Sequence, residues 1–262
     1  MSILSSFQGD GDRLPGFSRS SLPSSYYIGF WPCQQADGDA DDEQVTDRSG
    51  NEAHMTLGSL TSTEAWASAG YVTSLDDANH APIIPLANWT HRFTAGSLIL
   101  AAQSNVTKEV AADQFFGNGA GSSQRGFALR CGTGGNIQPL LYTTTSVFGS
   151  GTTETPWATA VLRSWMFAFD YLTRAYYIFI DGAISSVNGG TFSAADLAAA
   201  DASVIVGPAL GGRTNFAAMA AKHRHCHALD LAGKGLPTNL AALAHRLHAH
   251  PRLMLRDADM VF

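Results

Sequence analysis

The chain has 262 residues, 45% of them hydrophobic and 15% charged, with 26 glycines; this suffices for one large core and lies well below the ~25% charge of ordinary soluble domains. A formal net charge of −6, with the 16 Lys and Arg scattered along the chain, removes the electrostatic case for nucleic acid or an anionic membrane as a partner. No stretch approaches the ~18 apolar residues of a membrane helix, and the widely spaced Cys33, Cys131 and Cys226 make no disulfide framework, so buried free thiols in a reducing compartment are expected.

Residues 1–25 are rich in Ser, Gly, Asp and Pro and show no periodicity. Two readings stand: a disordered tail, or an extended arm whose bulky residues Ile3, Leu4, Phe7, Leu14 and Phe17 dock on a neighbouring subunit. The segment has no basic region followed by an apolar run, so no secretory leader is expected. Residues 26–32 read as a first strand stopped by Pro32. An acidic loop follows at 36–44, then a short strand at 54–57. Further strands are predicted at 81–86 and 97–102; the second, Ser-Leu-Ile-Leu-Ala-Ala, is a continuous apolar run suited to a buried strand. Residues 105–123 read as a loop broken by Phe115-Phe116. A hairpin is predicted over 126–130 and 137–143, around Gly132-Thr133-Gly134-Gly135, and a Gly/Thr/Ser loop over 146–156.

Residues 164–185 carry the strongest pattern. Trp165, Phe167 and Phe169 share one face of a strand, because successive strand side chains point to opposite faces. After a polar turn at Thr173-Arg174, Tyr176, Ile178 and Ile180 line one face of the next strand and Tyr177 and Phe179 the other. With both faces apolar, this hairpin is expected to be central and covered on both sides. Asp181-Gly182 then predicts a primed turn, which needs positive φ. Residues 194–202 are alanine-rich and read as a short helix or a loop; 204–206 and 217–231 read as strands. A helix is predicted over 238–250 from the stripe Leu240, Leu243, Leu247, with Thr238 or Asn239 as cap and Pro251 as stop. Residues 253–262 form an extension that adds an edge strand or meets a partner. Short strands, Gly-rich turns and almost no strand–helix alternation predict two packed antiparallel sheets.

The order of these pieces resembles the concanavalin A-like, laminin-G-like jelly-roll family. The Trp-led strand, the Asp-Tyr turn and the aromatic strand closing in Asp181-Gly182 look like that family's late hairpin. Asp47-Arg48-Ser49-Gly50-Asn51 is similar to its early loop, Gly126-Phe127-Ala128-Leu129 to its middle strand, and Val204-Ile205-Val206-Gly207 to the strand after the hairpin. The resemblance implies an all-β, antiparallel β-sandwich jelly roll over 26–252, preceded by the arm and ending in a short C-terminal helix.

Several clusters are chemically capable. Asp37, Asp39 and Asp41 offer hard oxygen ligands at alternate positions, which suits calcium; the loop is no EF-hand, because Asp42 stands where glycine is needed and Arg48 where glutamate is. The other reading is a solvated acidic turn. His223, His225 and His227 would share one strand face, either as a metal site helped by His245, His248 and His250, or as an outer face of partly exposed histidines packing under the helix, or as a surface responsive to mild acid. Trp66, Tyr71, Trp89 and Trp157 lie in or beside loops, where aromatic rings can dock the apolar faces of sugars; core packing is the alternative for each. Trp31 and Trp165 are assigned to the core. The family's glucanases carry a Glu-x-Asp-x-x-Glu strand, which is missing here, and glycoside hydrolysis needs such a carboxylate pair. The expectation is therefore a non-catalytic binding or structural subunit of a virus particle, in a phage capsid or tail, contacting other virion subunits and cell-surface glycan, with a homo-oligomer, a trimer for preference. A jelly-roll polysaccharide hydrolase or lyase is the alternative.

Overall fold

The computed structural model describes residues 24–33, 44–66, 70–75, 80–108, 114–118, 126–131, 137–142, 147–148, 161–184, 191–202, 206–211 and 220–262. The arm anchors Ile3 to Phe17, the acidic loop with Asp37, Asp39 and Asp41, Trp157 and most of the 204–206 strand lie outside the described residues. In chain order the strands are β1 (Tyr27–Trp31), β2 (Gln44–Val45), β3 (Met55–Thr56), β4 (Val72–Ser74), β5 (Gly96–Lys108), β6 (Gln114–Gly117) and β7 (Gly126–Cys131). They continue with β8 (Ile137–Tyr142), β9 (Val147–Phe148), β10 (Leu162–Phe169), β11 (Tyr176–Ile180), β12 (Ala183–Ile184), β13 (Ala209–Leu210) and β14 (Ala220–Ala232). Among the described residues three α-helices accompany them: α1 (Ser62–Ala65), α2 (Ala194–Asp201) and α3 (Leu240–Ala249).

The strands form a seven-stranded sheet in the order β1-β14-β5-β10-β11-β12, with β4 also on β14, a five-stranded sheet in the order β13-β6-β7-β8-β9, and a separate β2-β3 pair. All pairings are antiparallel, so the chain is an all-β sandwich, as the pattern of short strands predicts. The inner faces meet through aromatic rings. Phe127 of β7 packs on Phe167 of β10 with centroids 4.9 Å apart, and Phe115 of β6 approaches Trp165 at 6.5 Å. Each such buried side chain contributes about 1.5–3 kcal/mol of transfer free energy.

The central hairpin behaves as its alternation requires. Trp165, Phe167 and Phe169 pair with Ile180, Ile178 and Tyr176 and bury their faces between the sheets. Met166, Ala168 and Phe179 point to the outer face, where Leu243, Ala244 and Leu247 of α3 cover them. Asp181 and Gly182 both have positive φ, 50° and 79°, the signature of the primed turn. A Cβ at Gly182 would also stand 3.0 Å from His248 Cβ and 3.1 Å from His245 Cα, so glycine admits α3 to this corner.

The Asp47 loop ties β1 to its surroundings. Its carboxylate accepts hydrogen bonds from the backbone N–H of Phe30, Ser49 and Ala53 and from the Ser49 hydroxyl, at 2.8–3.2 Å, while Asn51 Nδ2 donates to Tyr27 O at 2.5 Å.

Four expectations are corrected. Residues 105–123 are not simply loop: β5 continues to Lys108, and Gln114–Gly117 is a strand whose residues are all buried. Residues 81–86 make only a bridge, Ile83 to Thr56 and to Ala209, before a 3-10 turn at Leu86–Asn88. Asn239 begins α3 without capping it; its side chain instead donates to Asp259 O and accepts from Val261 N–H. The 253–262 extension adds no strand. It lies against its own domain, with Leu255 and Met260 buried in the outer cluster and Asp259 held by Arg246 at 2.7 Å and Arg256 at 3.0 Å. Burial raises the pKa of the Asp259 carboxyl, but the hydrogen bonds from Arg256 and Arg246 and the Arg246 charge together outweigh it and hold the group down to about 2.

Candidate functional site

The predicted row of three histidines on one face does not exist, because β14 contains a bulge. Arg224 pairs with Gln103 and His227 with Ala101, so His225 and Cys226 together stand opposite Ala102. His225 adopts φ +52°, a left-handed conformation uncommon for a residue with a side chain. The extra residue reverses the alternation, and the three imidazoles go to three environments, none of them the partly exposed outer face expected: their exposures are 0%, 3% and 3%.

His223 lies between the sheets. Its ring nitrogens contact Ser74 Oγ at 3.0 Å and Ser104 Oγ at 2.9 Å, and Trp165 Nε1 donates to the same Ser104 hydroxyl at 3.0 Å. Burial alone pulls its pKa down to about 3, so it is a neutral core histidine. His227 lies on the outer side beneath α3. Its Nε2 meets Pro251 O at 2.9 Å, and since a carbonyl only accepts, Nε2 carries the proton. Nδ1 therefore accepts from the Tyr27 hydroxyl at 2.9 Å, and that hydroxyl accepts the Leu255 N–H at 3.0 Å. Burial brings His227 down to about 4.

Of the three, His225 is the one that lines an open groove. With Gln103 on β5, Arg224 beside it on β14, and His248, Ala249, His250, Pro251, Arg252 and Leu253 at and beyond the end of α3, it lines a groove of about 630 Å³ on the outer face of the large sheet. Its Nδ1 is buried without a hydrogen-bond partner. Desolvation, with help from Arg224 and Arg252, brings its pKa down to about 4, so it is neutral at pH 7.

Arg224 is held in place. Its Nε donates to Gln103 Oε1 at 2.8 Å and its guanidinium carbon lies 4.9 Å over the Tyr71 ring, a cation–π contact. His248 anchors the other wall, its Nδ1 2.6 Å from Ser164 Oγ. This pair has hydroxyl-to-base distance, but Asp181 binds the Ser164 N–H at 3.0 Å rather than the imidazole, so the carboxylate that orients a catalytic triad is not on the ring. Among the described residues, two guanidiniums and three imidazoles line the groove, and no carboxylate does.

Of the three described residues read as sugar platforms, Tyr71 stacks under Arg224, which already covers its ring. Trp66 and Trp89 are core residues, 7% and 4% exposed; Trp89 packs on Phe116 and edge-on to His91, so neither presents a face to a sugar. Among the described residues, no group of three or more His, Cys, Asp or Glu could hold a metal ion. Cys33 and Cys226 are free and buried, their sulfurs 3.7 Å apart. Gln103, Arg224, His248 and Arg252 had no signal as a set, since they come together only through the bulge and the helix end.

No family model and no curated protein matches the chain. Solved structures do. A Trypanosoma rangeli sialidase in complex with sialic acid superposes with a TM-score of 0.59 at 12% identity, over 96% of this chain and 38% of the sialidase. The binding domain of Paraclostridial Mosquitocidal Protein 1 gives 0.54 at 9% identity, over 85% of this chain and 52% of that one. Domain 4 of AbnA, a GH43 extracellular arabinanase from Geobacillus stearothermophilus, in complex with arabinotriose, gives 0.55 at 11% identity over 85% of this chain and 98% of that domain. The chain thus spans well under half of the sialidase and nearly the whole of the arabinanase domain. At such identities the shared property is the β-sandwich fold.

Proposed function

We propose that this chain is a non-catalytic glycan-binding β-sandwich module, that its ligand lies in the groove between the β14 bulge and the end of α3, and that it serves as a subunit of a virus particle. The observation that supports the binding reading most directly is the groove itself. It is open, offers fixed planar donors from Arg224 and Gln103, and contains one buried ring nitrogen with no partner. Sugar sites are built from such convergent polar groups on a rigid frame. Among the described residues no carboxylate lines the groove, and glycoside hydrolysis needs an acid/base pair of them. The likeness to an arabinanase domain that holds arabinotriose supports the reading at the level of fold only. The particle assignment draws on the bulky residues Ile3, Leu4, Phe7, Leu14 and Phe17 spaced along the N-terminal segment.

A glycan array probed with the purified protein tests the binding reading. Retention of at least one glycan class, lost in a Gln103→Ala/Arg224→Ala variant that folds normally, is the expected result. Release of reducing sugar from a bound polysaccharide would replace it with the hydrolase reading. Co-sedimentation of the chain with particles from its natural source, lost on deletion of residues 2–25, tests the particle assignment.

A further inference from the structure

Resting on the glycan-binding reading, we infer that the groove selects acidic glycan: it holds the carboxylate of a uronic or nonulosonic acid unit against Arg224, with Arg252 and the His225 ring completing the subsite. The charge pattern carries this. The whole chain has a formal net charge of −6, yet among the described residues this groove gathers Arg224, Arg252, His225, His248 and His250 and not one Asp or Glu. A surface of ordinary composition would set acids among those bases, so the site is cationic against the bias of its own chain.

The geometry of Arg224 narrows the ligand. Gln103 takes its Nε and the Tyr71 ring stacks on its plane, which fixes the fork and leaves its two terminal nitrogens, unpaired among the described residues, to donate. Two parallel N–H groups match the two oxygens of a planar carboxylate. His225 supplies the second indication. It is 97% buried by its 3% exposure, it lines the groove, and its Nδ1 has no partner; a buried polar atom of this kind is rarely left unsatisfied. A neutral imidazole there can exchange a hydrogen bond with a sugar hydroxyl beside the carboxylate. It is held in a left-handed conformation, the kind of backbone strain that collects at ligand sites.

Isothermal titration against matched pairs tests the inference: trigalacturonate against its methyl ester, and sialyllactose against lactose. The methyl ester keeps the sugar and removes the charge. Expected is that at least one acid binds roughly tenfold or more tightly than its neutral partner, the range of a charged hydrogen-bonded pair. In Arg224→Gln that advantage disappears while the weak affinity for the neutral sugar is kept. The pair showing the difference tells a uronate from a nonulosonate. Equal affinity for acid and neutral forms overturns the inference and leaves the glycan-binding reading intact, as does duplex DNA or inorganic polyphosphate binding as tightly as the acidic sugars. Binding to no glycan at all overturns both. Urea unfolding of Arg224→Gln at the wild-type midpoint guards against misfolding; should that variant not fold, Arg252→Gln applies the same test from an exposed position.

Discussion

The Tyr27 hydroxyl holds two buried groups at once, so removing this single atom has a consequence large enough to measure. Tyr27 is 4% exposed and Leu255 is fully buried. The hydroxyl donates to His227 Nδ1 at 2.9 Å and accepts from Leu255 N–H at 3.0 Å; burial raises its pKa well above the usual phenol range, so it keeps its proton. Tyr27→Phe preserves the ring and leaves both groups unpaired. An unsatisfied buried group costs about 1–3 kcal/mol. Two of them, less the desolvation no longer spent on the phenol, predict a loss of about 3 kcal/mol. The urea midpoint should fall at unchanged m-value, and the melting temperature by roughly 6–12 °C for a domain of this size. Tyr26→Phe is the control. That ring is half-buried and makes no hydroxyl hydrogen bond among the described residues, so it should stay within about 0.5 kcal/mol of wild type. A Tyr27→Phe protein equally close to wild type would refute the assigned tautomer of His227 and the double role of the hydroxyl.

Three further outcomes concern buried histidines, a tight turn and the paired thiols. Unfolded imidazoles take a proton near pH 6.5, but His223 resists until about 3 and His227 until about 4. Their folded pKa values are lowered, so the unfolded state binds more protons below pH 6.5 and stability must drop as pH falls from about 6.5 to 4. The loss is about 3 kcal/mol per group at pH 4, and urea midpoints that stay flat over that window would contradict it. Gly182→Ala places a side chain at φ +79° and 3.0–3.1 Å from His248 and His245 of α3; a loss of about 1–3 kcal/mol by chemical denaturation is expected. In a Cys131→Ala background, Cys33 and Cys226 should both be silent toward a disulfide reagent until the chain unfolds, because both are buried and burial raises the Cys226 thiol pKa.

How much could be read from residues alone depended on whether a signal was local. The aromatic alternation at 165–180 placed the hairpin, its two faces and its register side, because a strand's period of two leaves no other arrangement once one face is apolar. Asp181-Gly182 gave its turn for the same reason. The stripe of α3 was legible through Leu240, Leu243 and Leu247. Strand β6 was not: Gln-Phe-Phe-Gly is short, and its burial comes from partners far along the chain. The groove was the least legible part. A bulge at Arg224-His225-Cys226 carries no Gly or Asn to announce it. The trace it does leave is a switch of parity, with polar Lys222 and Arg224 followed on the same count by Cys226 and Ala228, while His227, Leu229 and Leu231 take over the outer face. Read as an uninterrupted strand, the same residues give a histidine row that does not form.

That extra residue joins the fold to the site, and its replacement separates the two. His225 costs the protein stability in two ways. A side chain in the left-handed region is unfavourable by about 1–2 kcal/mol, and its Nδ1 is buried unpaired, which costs about another 1 kcal/mol or more. His225→Gly relieves both and retains the backbone geometry, so the bulge and the hydrogen bond from its N–H to Pro32 O survive. Against this stand the greater freedom of glycine in the unfolded chain, about 0.5–1 kcal/mol, and the lost contacts of the ring. The net expectation is a variant as stable as wild type or up to about 1 kcal/mol more so, read from its urea midpoint. Glycan affinity should move the other way, weakening in the same protein. Removing residue 225 altogether takes out the bulge itself: Cys226 then stands alone opposite Ala102, His227 stays opposite Ala101 and every other residue keeps its face, so the sheet should still fold while the groove loses its ring. A glycine variant that loses more than about 2 kcal/mol would mean that the imidazole supports the sheet rather than the groove, and the case for His225 as a residue kept for its ligand would end there.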